Sequence, residues 1–153
     1  MQTIFSFSNM FVLPFWFLMI FLPYWRWTKW LMRVRWMIAL LALLYAVLAI
    51  SQLSVLGPAL MHPQLSGIAA LLSTSAGATI GWVHFLAFDL FVGRWIYFDS
   101  HERGITAWLV GPILFLTLML GPLGLLCYLG LRLFSRSSTS KLASFCSKVG
   151  TFI

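Results

Sequence analysis

The sequence predicts an all-α protein, an integral membrane bundle of about four transmembrane helices with a re-entrant or interfacial segment. Three observations carry that reading. Hydrophobic residues fill 61% of the 153 positions and charged residues only 8%, which leaves too little polar surface to cover a compact soluble chain. Mean hydropathy is +0.96. The apolar residues also fall in runs of about 20, the length that crosses a bilayer, separated by proline, glycine and charge. About four such spans use up the chain, giving one membrane domain over residues 1–132 and a basic tail over 133–153.

The first span is expected over residues 4–22, with Pro14 kinking it rather than ending it and Pro23 closing it. It lacks the basic start and small-residue cleavage pattern of a secretory signal, so it reads as a retained helix. The connector from Tyr24 to Trp30 interleaves Trp25, Trp27 and Trp30 with Arg26 and Lys29, a mixture suited to the headgroup zone and to an interfacial helix. The second span, 36–56, is almost free of polar side chains, and Gly57-Pro58 followed by His62-Pro63 is expected to end it. Ser73, Gly77 and Gly81 then form a ridge of small residues allowing close backbone approach, so residues 64–79 read as re-entrant or as an extension of the next helix.

The third span, 78–98, carries His84, Asp89 and Arg94, and the fourth, 106–131, carries Pro112 and Pro122, each behind a glycine. Asp99, Ser100, His101, Glu102, Arg103 and Gly104 form the acid-bearing loop between them. With four crossings the basic first loop and the basic tail would lie on opposite sides, against the positive-inside rule, unless a segment near residues 64–77 re-enters or crosses.

The net charge of +7 arises from ten Lys and Arg against three acids. Because Arg26, Lys29, Arg33 and Arg35 flank apolar runs, the expected partner is membrane lipid and no nucleic acid. Cys127 and Cys146 lie in no redox or zinc spacing, and no metal site is expected. Nucleotide, dinucleotide, zinc-protease and hydrolase motifs are absent.

Asp89 sits near the middle of its span, where an ionisable residue costs about 2.5–3.5 kcal/mol on the mildest insertion scale, so it marks a functional site or a structural pairing. Five-residue steps turn a straight helix by about 140°, so His84, Asp89 and Arg94 cannot share one face unless Gly93 distorts the helix. His84 reads as an interhelical hydrogen-bonding residue or as an axial ligand to a pigment metal. Arg94 can snorkel to the interface.

The run Gly81-Trp82-Val83-His84-Phe85-Leu86-Ala87-Phe88-Asp89-Leu90-Phe91-Val92-Gly93-Arg94-Trp95-Ile96, with Asp99, Arg103-Gly104 and Gly121-Pro122-Leu123-Gly124-Leu125-Leu126 after it, resembles a known family. It is similar to the neoxanthin-synthase-like membrane proteins named for the plant abscisic-acid-deficient four protein. The resemblance implies an integral, multi-pass protein of a thylakoid or other photosynthetic membrane, acting on xanthophylls or partnering an enzyme that does. Plant members are required to convert an epoxy-carotenoid to an allene, an isomerisation with no redox change and no required cofactor. One group polarises the epoxide oxygen while another removes a polyene proton. Asp89 and His84 are the expected catalytic pair with Arg94 in electrostatic support, and Trp82, His84, Trp95, Asp99 and Arg103 are expected to bind substrate or pigment. The competing expectation is a non-catalytic subunit that holds a carotenoid or chlorophyll, or docks on a photosynthetic complex. Transport is a weaker expectation, since a single central carboxylate has no inverted repeat around it.

Overall fold

In a computed structural model, described for residues 1–34 and 36–149 with side chains to 134, the chain forms seven helices and no strand among the described residues. They are α1 (Gln2–Phe21), α2 (Arg26–Arg33), α3 (Trp36–Ser51), α4 (Leu53–Met61), α5 (Leu65–Ser73), α6 (Ser75–Glu102) and α7 (Ala107–Val149). The expected all-α bundle is what is found. By length and composition, α1, α6 and the Ala107–Phe134 part of α7 could each cross a membrane, and the bent pair of α2 and α3 would make a fourth. The tail expected at 133–153 lies largely outside the described side chains.

Central in the bundle, α6 packs against α1, α3, α5 and α7. α1 runs parallel to it: Trp82 Nε1 donates to Asn9 Oδ1 at 2.9 Å, and at the other end Tyr97 Oη donates to the Pro23 carbonyl at 2.6 Å. Between these bonds the indole of Trp16 lies on Gly93, where a β-carbon would overlap the ring. Gly93 therefore seats an aromatic ring and does not distort α6, which stays continuous through it. α3 runs antiparallel to α6, with the Tyr45 and His84 rings 5.2 Å apart. Pro14 does not end α1, which continues through it to Phe21.

Several boundaries move for local reasons. The second apolar run breaks at Gln52 and continues through Gly57 and Pro58 to Met61, so that pair does not end it. α5 is a separate short helix. Gly77 and Gly81 let it lie on the first turns of α6, since a β-carbon at Gly77 would strike the Leu71 carbonyl and one at Gly81 would sit 3.3 Å from Leu72. Thr74 starts α6 by accepting a bond from the Gly77 amide at 3.0 Å. At the other end Asp99 to Glu102 form the last turn of α6 and not a loop. The ion pair from Arg103 back to Asp99, one turn away, extends the helix, and Gly104 at φ 64 closes it with Ile105 N–H bonded to the Ser100 carbonyl.

The largest departure from a simple bundle is in α7. Leu120 leaves helical geometry (φ −143, ψ 58) just before Gly121 and Pro122, and proline cannot supply the amide that would bridge the break. A straight helix would put Arg132 about 37 Å from Ala107. Instead Arg132 lies 3.4 Å from Asp99, close to where α7 begins, and Tyr128 Oη donates to Asp99 at 2.6 Å. Gly124 packs so closely on Thr117, seven residues earlier, that a β-carbon there would overlap the Thr117 backbone. α7 is thus a tight helical hairpin, with both arms at the Asp99 end of the bundle and its tip beside Asp89.

Candidate functional site: a groove at the tip of a helical hairpin

Asp89 is the fifteenth residue of the 28-residue α6, level with the break in α7. Its carboxylate rests on Gly121, where any β-carbon would overlap Oδ1. No hydrogen bond or ion pair to Asp89 is found among the described residues. Beside it runs a groove of ≈ 440 Å³ between α6 and the hairpin. Trp82, His84, Phe88 and Asp89 border it from α6, and Leu118, Gly121, Pro122 and Leu125 from α7.

His84 and Asp89 edge this one groove from different sides, as their helical separation requires. Asp89 takes the α7 side, and His84 the α3 side, its ring 5.2 Å from Tyr45 and 4.7 Å from Phe88. His84 makes ring contacts and no hydrogen bond among the described residues. Trp82 joins the two on the groove wall while its indole N–H is held by Asn9. The arrangement offers a flat apolar wall, an imidazole and, in the middle of α6, a carboxylate with no donor among the described residues.

Arg94 is not brought to this pair. It turns toward α2, where Nε donates to the Met32 carbonyl at 2.6 Å and the guanidinium lies 4.9 Å from the Phe98 ring. Trp95, Asp99 and Arg103 gather in a second cluster about 15 Å further along α6. There Asp99 accepts from Arg103 at 2.6 Å and from Tyr128 at 2.6 Å, with Arg132 at 3.4 Å. Trp95 meets Tyr128 edge-on at 5.5 Å, and the Arg132 guanidinium stacks 5.5 Å over the indole. The bond to Asp99 raises the Arg103 pKa above its ordinary value.

Sequence reasoning missed Gly121, Tyr128 and Arg132. Tyr128 and Arg132 are four residues apart in an otherwise apolar run, matching the spacing of Trp95 and Asp99, and that mirrored spacing was the available signal. No group of His, Cys, Asp or Glu able to hold a metal ion occurs among the described residues.

Residues 3–128 match the family described as ABA DEFICIENT 4-like. The chain is similar to the chloroplastic protein ABA DEFICIENT 4 of Arabidopsis thaliana, at 31% identity over 110 residues, covering 68% of this chain and 50% of that protein. It spans about half the length of that curated relative. No solved structure matches.

Proposed function

The chain belongs to the ABA DEFICIENT 4-like family, and on that footing we propose that it is an integral membrane protein of carotenoid metabolism in a chloroplast-type membrane. Its working site is the α6/α7 groove. The observation that supports this most is the Asp89 carboxylate, in the middle of α6 with no donor among the described residues and facing a wall built from Trp82, Phe88 and hairpin leucines. A carboxylate so placed costs free energy that only a ligand or a proton can offset.

The reaction that suits the pair is isomerisation of an epoxy-xanthophyll. Asp89 removes a proton from the polyene carbon and His84 delivers one to the opening epoxide oxygen. The C–O bond breaks as the new double bond forms, with no net change of oxidation state. Arg94, tied to Met32, supports the fold and takes no part.

A second reading keeps the groove and drops the chemistry: a subunit that holds a carotenoid or chlorophyll. The lack of a hydrogen bond to His84 among the described residues favours it, since a ring nitrogen is then open to a pigment metal.

The test is the chromatographic carotenoid profile of membranes from cells lacking the gene, rescued with wild type or Asp89→Asn. Loss of one xanthophyll with build-up of its precursor, reversed by wild type alone, is expected. An unchanged profile removes the enzyme reading and leaves the pigment-holding one.

A further inference from the structure

Every Lys and Arg whose side chain is described lies toward one end of the bundle. Arg26, Lys29 and Arg33 lie on α2, which buries Thr28 and Met32 and exposes Trp27 and Trp30. Arg94 reaches the same helix through the Met32 carbonyl, and Arg103 and Arg132 meet at Asp99. The opposite end is formed by the start of α1 and by α4 and α5, and residues 2–25 and 52–75 contain no Lys, Arg, Asp or Glu.

The hairpin explains this segregation. Were α7 to cross, Arg132 would stand at the uncharged end, about 37 Å of helix from Ala107. Because it turns at Leu120, Arg132 returns to Asp99. The conflict that four crossings create with the positive-inside rule disappears, and the element that turns back is α7 rather than residues 64–77.

We infer that α7 enters and leaves the membrane on the α2 face, so that the chain makes three full crossings and the α6/α7 groove lies at half depth beside the hairpin tip. The positive-inside rule places this face on the cytoplasmic-type side. The tryptophan- and arginine-rich surface of α2 is then its contact with anionic headgroups. This inference rests on the membrane reading above but does not need the carotenoid chemistry.

The test expresses the full chain in a bacterial inner membrane with Cys127 and Cys146 replaced by Ser and one cysteine at a time introduced by Lys29→Cys, Gln64→Cys, Glu102→Cys or Phe134→Cys. A membrane-impermeant maleimide is added to intact and to permeabilised cells. The expected result is that Gln64→Cys labels in intact cells, whereas Lys29→Cys, Glu102→Cys and Phe134→Cys label only after permeabilisation. If Phe134→Cys labels together with Gln64→Cys, or from neither side, α7 crosses or is otherwise arranged and the inference is overturned. Protease protection of an epitope tag at the C-terminus of the otherwise unaltered chain gives an independent answer. Release of the chain by alkaline extraction would defeat the membrane reading itself, an outcome distinct from a wrong α7.

Discussion

The carboxylate of Asp89 rests on the backbone of Gly121, so closely that any side chain at that position would overlap it. One contact thus joins the middle of α6 to the turn of the α7 hairpin, and makes the acid and the broken helix a single structural unit.

Gly121→Ala must therefore push Asp89 aside or open the hairpin tip. Overpacking of this kind costs about 1–3 kcal/mol. Thermal unfolding of the purified protein in detergent should show a lower Tm, largely restored by adding Asp89→Ala, which removes the clashing atoms. An unchanged Tm for the single variant would show that the contact is loose.

The same logic applies to Gly93 and Trp16. Gly93→Ala meets the buried indole, which is only 1% exposed and has little room to move. A loss of about 1–3 kcal/mol is expected, relieved by Trp16→Leu. Independent, additive losses in the double variant would contradict the packing.

At the second cluster, Tyr128→Phe removes one of the donors to Asp99 and should cost about 1 kcal/mol. Asp99→Asn should cost more, because it leaves Arg103 and Arg132 facing each other without their shared anion. The order of the two losses, read from denaturation midpoints, is the check.

Much of the fold was legible in the sequence because apolar runs of about 20 residues are a direct signal for long helices. The central helix, the small-residue contact of Gly77 and the place of Asp89 in the middle of α6 all follow from residue type and spacing. The hairpin was not legible in the same way. Hydropathy has no direction, and 28 apolar residues read identically whether they cross or turn back. The charge pattern asked for a segment that re-enters or crosses again, but pointed to residues 64–77 and not to α7. Gly121-Pro122 at the tip and Gly124 opposite Thr117 carry that information only once the two arms are seen to touch. Nor did spacing along α6 reveal that Arg94 faces α2, since a helix position sets an angle and not a neighbour.

Arg94→Gln should accordingly leave the carotenoid profile as in wild type while lowering the Tm, because the bond to Met32 and the contact with Phe98 are lost. A changed profile at unchanged stability would place Arg94 in the working site after all.

The most direct measurement is turnover of an added epoxy-xanthophyll by the purified protein in lipid vesicles, compared among wild type, Asp89→Asn and His84→Ala. The account predicts an isomeric product of unchanged mass from wild type, and a fall of at least about 100-fold in each variant, the usual contribution of a positioned acid or base. Full activity in both variants, or none in a folded wild type that retains bound pigment, would contradict it.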